Sequence, residues 1–241
     1  MASKIADYGL IVASYLIGII SIALLIMMRG PGVLSPFGWT EPAVLVWDAG
    51  LSFLFFFQHS GMVRLPFRRR LSAFVPEYRQ PIVFAIASGI ALALVGLLWQ
   101  PSGILILAIT GIPRLLMRAV SALATAMLVI SFVALRSFDM LGTSPVTSHL
   151  KGRGHQAGPF MIRGPYRWVR HPLYAGLIVL FWTNPDLTAD RLLFNILWSG
   201  WMVFATALEE KDLVREFGAA YVRYQHDVPM LVPHRRPAAP V

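Results

Sequence analysis

The fold of this chain is decided by Gly164-Pro165-Tyr166-Arg167-Trp168-Val169-Arg170-His171-Pro172-Leu173-Tyr174-Ala175-Gly176, where a basic, polar segment turns into an apolar one. Pro165 sets a turn after Gly164. Pro172 keeps His171 out of the α region and fits the first position of a new helix, where a missing N–H is tolerated. His171 is then expected at the mouth of that helix, beside free backbone N–H groups and the positive end of its dipole, a setting that suits a carboxylate. Arg167 and Arg170 add fixed charge. Tyr166 and Tyr174 add flat rings with hydroxyls, and Gly176 leaves room for a close approach to the backbone. The plainer reading is a membrane-entry turn, with arginines at the headgroups and aromatics at the interface.

Working outward, the rest of the chain favours a membrane. Of 241 residues, 56% are hydrophobic and only 14% charged, and the mean hydropathy is +0.63; a soluble domain carries about a quarter charged residues. The expected class is all-α, a polytopic membrane protein of about five to six transmembrane helices. The net charge of +9 does not point to nucleic acid, because the basic residues fall in the gaps between apolar runs. The chain has no cysteine, which excludes disulfides, thiolate-bound zinc, iron–sulfur clusters and a cysteine nucleophile. Its six histidines, among them His149 and His155, form no i, i+4 pair, so no metal is expected.

The first span is expected from about Tyr8 to Met28; it follows Lys4 without a small-residue cleavage site and reads as a span rather than a signal peptide. It ends at the breaker cluster Arg29-Gly30-Pro31-Gly32. The second span, about Ala43 to Val63, carries Asp48 and Gln58-His59-Ser60. The third is about Pro81 to Trp99. Gly103 to Ile112 is apolar but too short to cross a ~30 Å core as a helix, so a re-entrant or interfacial piece is expected. The fourth span is about Ala119 to Leu135, and a polar stretch runs from Arg136 to Arg170. Pro172 to Trp182 and Leu192 to Leu208 then form a helical hairpin with one short arm. Its longer arm is expected to continue to Phe217, with Gly218 as the stop. Residues 1–135 form an N-terminal group of spans and residues 136–241 a C-terminal functional region. Of the 21 Lys and Arg residues, only Arg29, Arg114, Arg118 and Arg191 fall on one side of this layout. Both termini and the His-Pro stretch are therefore expected in the cytoplasm.

The hairpin returns to that side at Leu208-Glu209-Glu210-Lys211-Asp212-Leu213. Adjacent helical residues point roughly 100° apart, so one glutamate suits a ligand's amine or ribose hydroxyls while the other pairs with Arg167 or Arg170. A charge run at a helix end is otherwise simply solvated. Together, the positive helix mouth and the acidic wall suit a zwitterionic ligand.

Arg170-His171-Pro172-Leu173-Tyr174-Ala175-Gly176, followed by Glu209-Glu210, Leu213, Phe217-Gly218, Tyr221, Tyr224 and Val228-Pro229, resembles the signature of the integral-membrane methyltransferases. That group includes the isoprenylcysteine carboxyl and phospholipid methyltransferases. The resemblance covers about the last third of the chain and implies S-adenosyl-L-methionine as cofactor, with Tyr166, His171, Pro172, Tyr174, Gly176, Glu209, Glu210 and Tyr221 holding it. Arg170 and Glu210 are expected to serve catalysis as well. Phe55-Phe56-Phe57-Gln58-His59-Ser60-Gly61-Met62-Val63-Arg64, Trp99-Gln100-Pro101 and Phe181-Trp182-Thr183-Asn184-Pro185 resemble the bacterial methanethiol S-methyltransferases. This narrower resemblance implies a small thiol substrate, dimethyl sulfide as product, and a bacterial inner membrane. No nucleic acid or obligate protein partner is expected beside the lipid bilayer.

Methyl transfer from a sulfonium is an in-line displacement whose main demands are alignment and exclusion of water. Gln58, His59 and Ser60 are the candidate acceptor site, because polar groups within a span are costly unless used or satisfied. Imidazole is the natural base for a thiol near neutral pH, which makes His59 a catalytic candidate. The competing account is a histidine bonded to another helix at headgroup level. Asp139 and Arg136 are possible borders of the pocket, and Asp48 suits a backbone end or an arginine. Other readings keep the fold but change the chemistry: a lipid or isoprenoid acceptor, an NADPH-dependent reductase, or a non-catalytic accessory protein. The chain shows no glycine-rich dinucleotide loop.

Overall fold

The computed structural model describes residues 2–27, 37–135, 139–154 and 160–239. Arg29-Gly30-Pro31-Gly32, Arg136 and His155 lie outside the described residues. In chain order the elements are α1 Ala2–Met27, α2 Glu41–Val63, α3 Leu65–Leu71, α4 Gln80–Leu98, β1 Leu105–Ala108, α5 Gly111–Ala134, α6 Thr143–Leu150, α7 Pro172–Trp182, β2 Asp186–Thr188, α8 Ala189–Phe217 and α9 Ala219–Asp227. Single 3-10 turns lie at Glu77–Arg79 and Gly164–Arg167.

Among the described residues, four helices are long and apolar enough to cross a membrane: Ser3–Met27, Glu77–Leu98, Gly111–Ala134 and Ala189–Phe217. α2, with 23 residues, has the length to cross, but Asp48, Gln58 and His59 dilute its hydropathy. Apolar side chains such as Ile5, Val12, Ile19 and Ile26 of α1 are exposed. In a bilayer they face lipid, which is as apolar as they are.

One compact unit comprises the described parts of Met1–Gly103 and Asp139–Ala157, the other those of Ile104–Phe138 and Gly158–Val241. The reason is packing: α6 docks on the first helices, and α5 packs on α7.

In the first unit α1 and α4 run parallel. A Cβ on Gly89 would stand 2.7 Å from Ile17 Cγ2, and one on Gly96 would stand 2.8 Å from Leu24 Cβ and 3.0 Å from the Leu24 carbonyl carbon. These glycines let the two backbones approach, as small residues do between membrane helices. α2 packs antiparallel to α4: Trp47 Nε1 donates to Leu98 O at 3.0 Å, while His59 near the other end of α2 meets Ser88. α2 therefore returns the chain between the parallel helices α1 and α4. Asp48 serves a backbone end: its Oδ1 accepts from the Gln100 N–H at 3.0 Å. Gln100 Oε1 accepts from the Phe37 N–H at 2.9 Å, so the Trp99-Gln100-Pro101 motif closes the connection after α4.

In the second unit the segment after Gly103, expected to be re-entrant or interfacial, is extended: β1 pairs antiparallel with β2, Ile109 N donates to Pro185 O at 2.9 Å and Ala189 N to Ile104 O at 3.0 Å. Asn184 Oδ1 accepts from Asp186 N at 3.2 Å, a side-chain turn that presents Asp186 to Arg114 as a bidentate pair at 2.8 and 2.7 Å. An apolar run with too few residues for a spanning helix satisfies its backbone in this two-stranded ribbon. The ribbon closes the end of the α7–α8 hairpin remote from Arg170.

Candidate active site

The 3-10 turn Gly164–Arg167 leads into the hairpin. Gly164 has φ 52, a left-handed conformation that favours glycine, and its absent Cβ would stand 3.3 Å from Ala134 Cβ. His171 caps α7 with φ −126 and ψ 65, and Pro172 opens the helix, as the sequence predicts. The His171 N–H donates to Met230 O at 3.1 Å, beside an Arg170 N–H donating to Pro229 O at 2.9 Å. The space beside Gly176 is taken by α5, since a Cβ there would stand 2.9 Å from Leu128 Cδ2.

α8 runs on to Phe217, and Gly218 turns the chain with φ 56. Its last turns bring both glutamates to the His-Pro turn, where they take different partners. Glu210 is buried and accepts from Arg170 Nε at 2.6 Å, Arg170 Nη2 at 3.0 Å, His171 Nε2 at 3.1 Å and Gln225 Nε2 at 2.9 Å. The remaining arm of Arg170, Nη1, donates to Gln225 O at 2.9 Å and to Val228 O. This planar fork ties α8, the His-Pro turn and the chain after α9 together. Arg167 turns elsewhere, with Nε donating to Ala238 O at 2.5 Å.

Glu209 accepts from the Tyr174 hydroxyl at 2.8 Å, and the His171 and Tyr174 rings stack with centroids 5.7 Å apart. Burial and the Glu209 carboxylate push the Tyr166 hydroxyl above the usual phenol range, so it stays neutral. Behind this polar group lies a small core of Ile162, Tyr221, Tyr224 and Val228, with Phe160, Leu213, Val214 and Phe217 packed against it. Tyr224 donates its hydroxyl to Tyr166 O at 2.6 Å. The site therefore gathers Tyr166, Arg170, His171, Pro172, Tyr174, Glu209, Glu210 and Tyr221 within one unit. Gln225 escaped the sequence reading because its spacing of fifteen residues from Glu210 matches no local periodicity.

The candidate acceptor residues belong to the first unit. His59 lies between the rings of Phe55 and Phe84, at centroid distances of 5.2 and 5.0 Å. Its Nδ1 is 3.2 Å from Ser88 Oγ, and Gln58 Nε2 reaches the same oxygen at 3.3 Å. Gln58 Oε1 is buried without a hydrogen-bond partner among the described residues. Ser60 follows on the same helix and is half-buried. Ser88, a lone hydroxyl in an apolar helix, carries no signal of its own in the sequence. Asp139 is spent on α6, accepting from the Ser144 N–H and the Thr143 hydroxyl.

A predominantly helical membrane protein with a His-Pro turn clamped to the second residue of a Glu-Glu pair defines a class, and its relatives narrow it. The chain is 36% identical over 208 residues to methanethiol S-methyltransferase of a Pseudomonas species, covering 86% of this chain and 77% of the relative. It is 31% identical over 229 residues to methanethiol S-methyltransferase 2 of Bradyrhizobium diazoefficiens, covering 95% and 88%. Human Nurim is more distant, 28% identical over 196 residues, covering 71% and 68%. No family model matches the chain, and no solved structure does. The chain belongs to the methanethiol S-methyltransferase family. It is a membrane methyltransferase.

Proposed function

We propose that the protein transfers a methyl group from S-adenosyl-L-methionine to methanethiol, giving dimethyl sulfide, with its cofactor site and both termini on the cytoplasmic side of a bacterial inner membrane. The observation that carries this reading is the division of labour between the two glutamates: among the described residues, Glu210 is bound to Arg170, His171 and Gln225, whereas Glu209 meets a single tyrosine hydroxyl. The donor set fits the cofactor. A half-buried carboxylate beside two aromatic rings suits a ligand bearing ammonium and sulfonium charges.

When bound, S-adenosyl-L-methionine supplies a methyl group on a positively charged sulfur, the electrophile for displacement by a thiolate. Glu209 would hold the amine, and Tyr166 and Tyr174 would supply aromatic surface for its positive charge. His171 and Pro172 form the floor at the start of α7, Gly176 keeps that helix close to α5, and Tyr221 supports the wall from behind. Arg170 and Glu210 act as the clamp that fixes these groups, a positioning task rather than contact with the reacting atoms. His59 takes the thiol proton at its imidazole, and Gln58 and Ser60 orient the acceptor.

Calorimetry of the full chain in detergent tests the cofactor site. S-adenosylhomocysteine is expected to bind the unaltered protein, and Glu209→Gln is expected to weaken binding at least about tenfold, the loss of one charge-assisted hydrogen bond. Binding of a nicotinamide cofactor in place of S-adenosylhomocysteine would overturn the reading.

A further inference from the structure

A second polar site lies on α6, in the first unit. Thr143, Ser144, Thr147, Ser148 and Lys151 share one face of the helix by their spacing, and Gly152, with φ 66, turns the chain so that Arg153 joins them. These six residues line a cavity of about 250 Å³. The other side of α6 is anchored: Pro145 and Val146 are buried, and the His149 ring stacks on Tyr78 with centroids 3.9 Å apart and an interplanar angle of 17°.

The cavity holds more donors than the protein uses. Thr147 Oγ1 donates to Thr143 O at 2.8 Å, and the Thr143 hydroxyl reaches Asp139 Oδ1 at 3.4 Å. Asp139 is the acid bonded here, and it also accepts from the Ser144 N–H at the start of the helix. Among the described residues, no hydrogen bond or ion pair joins the Ser144 hydroxyl, the Ser148 hydroxyl, the Lys151 ammonium or the Arg153 guanidinium to another side chain. Two cations and two hydroxyls therefore converge on one hollow with no carboxylate among its lining residues.

We propose that this hollow binds a phosphate group. A phosphate offers several strong acceptor oxygens to hydroxyls, an ammonium and a guanidinium at once. The position of α6 favours a lipid source. A Cβ on Gly142, just before α6, would stand 2.3 Å from the Pro81 carbonyl carbon, so the helix lies against the start of the spanning helix α4, at headgroup level. An anionic phospholipid and free inorganic phosphate share the chemistry and separate by experiment.

The test uses the full chain in a phosphate-free maltoside detergent, with the thermal midpoint followed against added phosphatidylglycerol or inorganic phosphate. Phosphatidylglycerol is expected to raise the midpoint of the unaltered protein. Lys151→Gln/Arg153→Gln is expected to need roughly tenfold or more lipid for the same shift, given the strength of basic residues at an anionic surface. Ser144→Ala/Ser148→Ala keeps every charge and the buried side of α6, so it remains foldable, and it is expected to weaken the response as well. Arg68→Gln/Arg69→Gln removes equal charge from α3 and is expected to leave the response intact. A response to inorganic phosphate but not to lipid, lost in the same variants, assigns the site to free phosphate. The proposal is overturned if neither probe shifts the midpoint, if the α6 variants respond like the unaltered protein, or if the α3 variant loses as much as they do.

Discussion

Glu209 and Glu210 are neighbours in sequence but serve different partners: Glu209 accepts the Tyr174 hydroxyl at 2.8 Å, while Glu210 accepts Arg170 Nε at 2.6 Å. The 100° turn between adjacent helical residues separates them. One closes the scaffold, and the other is the carboxylate proposed to hold the ligand's amine. The Arg170 pairing is one of the two expected from sequence, and the structure selects it over Arg167.

Glu210→Ala leaves Arg170 and His171 without their shared acceptor in a setting where both side chains of the ion pair are only 10% exposed. Breaking a buried pair by removing one partner costs about 3–5 kcal/mol. The thermal midpoint in detergent is expected to fall sharply for Glu210→Ala and little for Glu209→Gln, whose loss appears in cofactor binding instead. Equal midpoints would contradict the separation.

Arg170→Lys keeps the charge but cannot reproduce the fork to both Glu210 oxygens together with the carbonyls of Gln225 and Val228. An ammonium is a point donor. Limited proteolysis is expected to cut the tail beyond Pro229 faster in this variant, because the tail is tied back through residues 170 and 171. An unchanged cleavage rate would show that the backbone bonds suffice.

Much of this site was legible because it is written locally. Pro172 announces a helix start, Gly218 a helix stop, and the composition between them a hairpin. What escaped depends on partners distant in sequence. Leu105–Ala108 reads as a membrane piece until β2 is seen to satisfy its backbone. Ser88 and Gln225 gain meaning only from the helix faces that meet them. The grouping of α5 with α7 follows from packing at Gly176, which no composition shift marks.

Gly96→Ala is expected to destabilise the first unit more than Gly89→Ala. The added methyl at residue 96 meets the Leu24 backbone at 3.0 Å, whereas at residue 89 it meets the Ile17 γ2 methyl at 2.7 Å and the Ile17 backbone only at 3.8 Å, so at residue 89 the backbones need not part. Overpacking of this kind costs about 1–3 kcal/mol. Thermal midpoints of the two variants provide the check, and the reverse order would contradict the packing described.

Burial raises the hydroxyls of Tyr166, Tyr221 and Tyr224 above the ordinary phenol range. An unfolded tyrosine releases its proton near pH 10, so above that pH the unfolded state holds fewer protons and stability falls as pH rises. Below it these groups contribute no slope. Thermal midpoints across the alkaline range are expected to decline, and Tyr221→Phe is expected to make the decline shallower.

His59→Ala is expected to cut turnover by about 10²–10⁴-fold, the scale of general base catalysis, with S-adenosylhomocysteine affinity unchanged. A partial return of activity at high pH, where methanethiol ionises unaided, marks a lost base. Unchanged turnover removes His59 from the mechanism.

The most direct measurement is headspace gas chromatography on the purified full chain given S-adenosyl-L-methionine and methanethiol. Dimethyl sulfide is the expected product, strongly reduced by Glu209→Gln and by His59→Ala. No dimethyl sulfide from folded protein that binds S-adenosylhomocysteine would contradict the thiol acceptor, and methylation of a lipid or isoprenoid under the same conditions would replace it.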